Sequence, residues 1–150
     1  MSGGPRQLEV IYCDDIRQEV GNKFSYMGVY SSELIVPSTP VLLPKLCIAV
    51  KVSTDIGDPF EALEARVVKV KGDDETELLS TGALQLPTEL YGLDDGVNRR
   101  FAVQLTFMLA PFQIDEETNL RVKAITEREE LRGMGLRIRI VTPPASPTAR

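Results

Sequence analysis

The chain reads as an all-β protein, a single antiparallel β-sandwich of seven to nine strands. Three observations carry that expectation. Phe101, Val103, Leu105, Phe107 and Leu109 fall on one face of a run whose other face holds Ala102, Gln104 and Thr106, the period of two that marks a half-buried strand. Short runs of this kind recur along the chain with Gly, Pro, Asn and Asp between them, the rhythm of a sandwich or barrel. No segment shows a convincing helical period; the best helix-like stretches are single turns near 115–119 and 126–131.

The first strand is expected over Leu8 to Asp14. Leu8, Val10 and Tyr12 share one face and Ile11 and Cys13 the other, so both faces call for cover. A loop over Asp14 to Asn22 follows, with Gly21-Asn22 supplying residues that tolerate positive φ. The second strand is placed at Lys23–Tyr30 and the third at Ser32–Val36, stopped by Pro37 and Pro40. Pro44 opens the fourth, Lys45–Ser53, with Leu46, Ile48, Val50 and Val52 inward. The fifth, Leu63–Lys71, breaks its own alternation: Leu63, Ala65 and Val67 share a face, then Val68 and Val70 take over. One extra residue at Val67-Val68, a β-bulge, returns both halves to one core. The sixth covers Glu75–Leu86 with an interruption near Gly82, and the seventh is Arg99–Leu109. The eighth is Leu120–Thr126, with Leu120, Val122 and Ala124 on one face. The ninth is Leu136–Val141, with Leu136 and Ile138 inward.

At 150 residues the chain suits one domain with a core of its own. Residues 1–6 read as a flexible leader, 7–141 as the sandwich, and 142–150, with three prolines in nine residues, as a disordered tail. Cys13 and Cys47 sit in apolar runs, where buried reduced thiols are the ordinary outcome. No secretory signal and no membrane-length apolar run is evident, so a cytoplasmic protein is expected.

Ile11-Tyr-Cys-Asp-Asp, followed by Val20-Gly-Asn-Lys-Phe-Ser-Tyr-Met-Gly-Val-Tyr30, resembles the opening of a family of small uncharacterised bacterial and prophage-encoded proteins. Its pattern is a strand ending in Cys-Asp, a Gly-Lys turn, and an apolar run with Gly before a bulky residue. A Pro-bounded strand follows, matched by Leu34-Ile-Val-Pro37 and Leu43-Pro-Lys-Leu-Cys-Ile-Ala-Val50. Asn22 between Gly21 and Lys23 lengthens the turn by one residue. The resemblance covers about the first 55 residues well and the rest in strand rhythm. It implies a β-sandwich of unestablished activity in bacteria or their phages, and supplies no catalytic residues.

The chain has no histidine, which removes the commonest general base and transition-metal ligand. Serines lack a nucleophile elbow, Gly72-Asp73-Asp74 reads as a turn, and Gly133-Met-Gly135 lacks the third glycine and the setting of a dinucleotide loop. Asp14 and Asp15, near Glu19 and Arg17, suit capping and ion pairing. No catalytic residue and no cofactor is expected. The acidic loop residues Asp55, Asp58, Asp94 and Asp95 are only weak candidates for Ca²⁺, which needs 6–8 oxygen ligands. Arg121, Lys123, Arg137 and Arg139 alternate outward on the last two long strands and form a candidate basic contact face. That face lacks interleaved aromatics for stacking nucleic acid, and a net charge of -5 argues against a backbone binder. These signals favour a non-enzymatic interaction or structural module with a protein partner or self-association. A calcium- or small-ligand-binding accessory domain is the alternative.

Overall fold

In the computed structural model, which describes residues 4–86, 97 and 99–144, every regular element is a strand. In chain order these are β1 (Gln7–Glu19), β2 (Lys23–Val29), β3 (Glu33–Val36), β4 (Val41–Leu43), β5 (Leu46–Asp55), β6 (Leu63–Lys71), β7 (Asp74–Ser80), β8 (Arg100–Leu109), β9 (Phe112–Ile114), β10 (Thr118–Thr126), β11 (Glu130–Arg132) and β12 (Leu136–Ile140). One sheet runs β2-β1-β5-β8 and the other β3-β12-β10-β6-β7, with β11 also on β10 and a small β4-β9 pair. The molecule is an all-β single domain of the sandwich kind.

Alternation decides the layers. Ile48, Val50 and Val52 of β5 and Tyr12 of β1 meet Leu63, Ala65 and Val67 of β6 and Leu120, Val122 and Ala124 of β10, all buried in one core. Leu136 and Ile138 of β12 and Leu34 of β3 close it on one side. The β6–β7 register shifts between Val67 and Val68, and both valines are buried. The expected return of both halves of β6 to one core is overturned: β6 keeps an unbroken register with β10, the extra residue is Leu78 on β7, and Val68 and Val70 stay on the face of Arg121 and Asn119, outside the core. Phe101, Val103, Leu105 and Leu109 do face the core, but β8 is an edge strand and leaves them half-buried; only Phe107 is fully covered.

Four further expectations need correction. β1 runs on through Asp14 and Asp15 to Glu19, because residues 13–19 pair with β2 as a hairpin instead of forming a loop. The turn falls where Gly21 (φ 90°) and Asn22 (φ 58°) allow it. Among the described residues the strands number twelve, since the three-residue β4, β9 and β11 are too short to show a period. One pairing is parallel: β3 lies beside β12, with Leu34 opposite Ile138. Finally, Arg6 of the expected loose leader is 5 % exposed. Residues 1–3 of the expected leader and 145–150 of the expected tail lie outside the described residues.

Leu120 is fully buried at the centre of β10. Leu120→Ala should lower stability by roughly 2–5 kcal/mol, whereas Leu105→Ala, half-buried on the edge strand, should fall at or below the low end. Urea midpoints for the two variants check the ranking.

Candidate functional site

The acidic candidates are spent on structure. Asp55 ends β5, and its Oδ1 accepts from the Gly57 N–H at 2.8 Å, a turn contact. Both carboxylate oxygens of Asp58 accept from Arg128, at 3.0 and 2.5 Å. The Arg128 bonds hold the Asp58 carboxyl below its ordinary range. Asp94 and Asp95 lie outside the described residues. Among the described residues, no three His, Cys, Asp or Glu side chains gather as a metal's ligands would.

Asp58 belongs to a charge cluster centred on Arg6. The Arg6 side chain is fully buried and reaches Glu127 at 2.8 Å, the Pro59 carbonyl at 3.0 Å and Thr54 Oγ1 at 3.3 Å. Its guanidinium lies over the Phe60 ring, 4.7 Å from the centroid. Glu127 Oε1 in turn accepts from the Glu61 and Ala62 N–H groups. Chiefly through the Arg6 bond, the Glu127 carboxyl drops from 4.5 to about 2. One arginine thus ties the chain before β1 to the β5–β6 and β10–β11 loops.

The basic face is broken up. Lys123 points away from the core, as alternation requires, but is 7 % exposed because β7 and β11 close over it. Its Nζ meets Glu75 at 2.5 Å and Glu130 at 3.8 Å, so it is not the exposed cation the sequence suggests. Arg139 pairs with Glu33 at 3.1 Å. Arg137 sits opposite Asn119 across the β10–β12 pair; it and Arg121 border one shallow depression beside Gly135. The four residues do lie on neighbouring strands, but two are neutralised and no continuous cationic stripe results.

The other sheet carries a more distinctive arrangement. The register sets its outer face in rows: Glu9, Lys51 and Gln104; then Ile11, Ala49 and Thr106; then Cys13, Cys47 and Met108. An outward face should be wet, yet Cys13 and Cys47 are 0 % and 1 % exposed and Ala49 is 8 % exposed. The β1–β2 hairpin reaches this side of the sheet at Ala49. Its Phe24 and Tyr26 stand beside Ile11, Ala49 and Thr106 around a cavity of about 340 Å³. The two cysteines are free and register partners. Burial pushes the Cys13 thiol up to about 11 and raises Cys47 also.

Contacts at the root of the hairpin set its direction. Gly28 has φ 66°, and a Cβ there would stand 2.2 Å from Asp14 Oδ2, so only glycine fits. Asp14 Oδ1 accepts from the Tyr30 hydroxyl at 2.6 Å, and Asp15 from Lys45 at 2.6 Å. The paired aspartates therefore brace the hairpin. Sequence reading missed Phe24 and Tyr26 as site residues; the signal available was the apolar outer face of β1, which demanded a cover without saying which segment supplies it.

A family model described as a family of unknown function, DUF6941, matches residues 9–139. The chain belongs to this family. Comparison with curated proteins and with solved structures gives no match. The DUF6941 match spans β1 through most of β12, so the hairpin, the covered rows and the Glu127 end of the charge cluster all lie within the family's extent.

Two outcomes are expected. Gly28→Ala should cost about 1–2 kcal/mol from backbone strain alone and release the hairpin; limited proteolysis should then cut between residues 14 and 28 faster than in the parent chain. Glu127, its carboxyl depressed in the folded state, contributes stability that is complete above pH 4.5 and is lost as pH falls toward 2. Glu127→Gln should flatten that part of a stability-against-pH curve measured by urea unfolding.

Proposed function

We propose that the chain is a non-enzymatic, cytoplasmic interaction module whose β1–β2 hairpin is the contact arm for a protein partner. The observation that carries this reading is where apolar surface is left in water. Of eleven large hydrophobic side chains exposed among the described residues, five lie on the arm: Phe24 and Tyr26 beside the cavity, and Val20, Met27 and Val29 away from it. Val20 is 95 % exposed and Val29 57 %. Exposed apolar surface gathered in one place, rimmed here by Arg17, Glu19 and Lys23, is the ordinary mark of an interaction site.

The arm also ends a sheet. β2 has β1 on one side and no strand on the other among the described residues, so its free N–H and C=O groups can accept an added strand. The partner this fits is an extended apolar segment of another protein, paired to β2 and packed on Met27 and Val29. A net charge of -5 disfavours a second copy of the same chain. The two free, buried thiols suit a reducing compartment.

The test is a pull-down from the encoding organism with the parent chain, a Met27→Ser/Val29→Ser variant, and an Ile35→Ser control on the other sheet. A stoichiometric protein held by parent and control and lost by the arm variant is the expected result. Retention of the same proteins by all three would overturn the reading, as would sedimentation showing a dimer that the arm variant abolishes.

A further inference from the structure

We propose that the cleft between the arm and the outer face of its own sheet is a binding site for a small, flat, apolar molecule carrying one negative charge, an aromatic carboxylate. The inference concerns the inward face of the arm and does not depend on any partner at Met27 and Val29. Four observations converge on it.

The first is shape. The cavity lies between a sheet and a β-ribbon, and its volume of about 340 Å³ is at the small end of ligand sites. The second is the lining. Ile11 and Ala49 supply an apolar floor, and Phe24 and Tyr26 stand over it; both rings are about half exposed, 45 % and 40 %, so they have faces left to give to a flat guest.

The third is polarity that changes in one direction. Moving one row along the strands from Ile11, Ala49 and Thr106 brings Glu9, Lys51 and Gln104 to the cavity wall. The next row, with Ser53 and Ala102, adjoins a second depression that shares Glu9 and Lys51 and ends at Arg100. A ligand lying along the strands therefore has an apolar end and a polar end.

The fourth is an uncommitted cation. Lys51 is exposed, and no hydrogen bond or ion pair among the described residues engages it, although Glu9 is its cross-strand neighbour. Arg100 adds positive charge beyond it: its Nη2 donates to the Pro5 carbonyl at 2.8 Å and to Ser53 Oγ at 3.2 Å, while its Nε has no partner. The carboxylate takes the Lys51 ammonium as its counter-ion, a charge-assisted bond stronger than a neutral one. Glu9 opposes the same charge and sets how tightly an anion is held.

The experiment titrates 2-naphthylacetate and its uncharged amide into the ¹⁵N-labelled full chain and follows amide shifts. The acid should give saturable shifts at Ile11, Phe24, Tyr26 and Thr106. Lys51→Gln should weaken it about tenfold, Glu9→Gln should tighten it severalfold, and Arg137→Gln on the other sheet should change nothing. The amide should bind the parent chain about as weakly as the acid binds Lys51→Gln. Both Lys51 and Glu9 are exposed, so their variants should keep the parent melting temperature, which is measured alongside. No saturable shift up to millimolar acid, equal binding of acid and amide, or shifts centred outside the cleft would each overturn the proposal.

Discussion

β5 must be covered twice. Its ten residues are apolar on the core side through Leu46, Ile48, Val50 and Val52, and nearly dry on the other through Cys47 and Ala49. Leaving either face in water would forfeit roughly 25 cal/mol for each Å² of apolar surface. Sheet β3-β12-β10-β6-β7 supplies the first cover and the β1–β2 arm the second. The order of the first sheet follows from this demand: β1 lies beside β5 for its first seven residues and then leaves it to carry β2 over the outer face.

A cover made from a two-stranded ribbon is less complete than one made from a sheet. Two strands cannot reach every residue, so Cys13 and Cys47 are closed off while Met108 at the end of their row is 54 % exposed and the rows of Ile11 and Lys51 border the cleft. The same narrowness leaves the ribbon's far side with no layer above it, which is why Met27 and Val29 remain in water. Cleft and exposed arm thus share one cause. The charge cluster at Arg6 ties the chain before β1 to the β5–β6 and β10–β11 loops and serves to hold the sandwich shut. Its buried guanidinium replaces lost water with oxygens of Thr54, Asp58, Pro59 and Glu127 and an aromatic face, although Nη1 has no partner among the described residues; such compensation is what makes a buried charge tolerable.

What was legible in the sequence follows the reach of local patterning. The break in alternation at Val67-Val68 could be read locally, but its resolution could not: the irregularity belongs to β7, where Leu78 is the extra residue, and Val68 and Val70 keep the outer face of β6. The facing of Phe101 to Leu109 and the turn at Gly21-Asn22 could be read for similar local reasons. The far half of β1 could not: Asp14 to Glu19 lie on a ribbon wetted over much of its surface, where alternation carries no information. Lys123 marks a different limit. Alternation tells which way a side chain points, and says nothing of what closes over it; Glu75 arrives on β7 through the non-local β6–β10 pairing, and Glu130 lies on β11, a strand too short to show a period. Aromatics on the arm were visible as residues, but their place beside Ile11, Ala49 and Thr106 depends on contacts between strands that alternation does not report.

The parallel β3–β12 pair joins residues 33–36 to 137–140, so two segments near opposite ends of the chain are neighbours in one sheet. During synthesis, β3 has no strand to join until the last of the twelve has left the ribosome. Bringing such distant segments together is entropically costly and slow compared with closing a hairpin. The β1–β2 hairpin, by contrast, can form as soon as it emerges. An early arm and a late seam mean that apolar β3, with Leu34 and Val36, waits unpaired through most of translation. The nascent chain is at its most adhesive in that interval, and chaperone capture is best placed to act there.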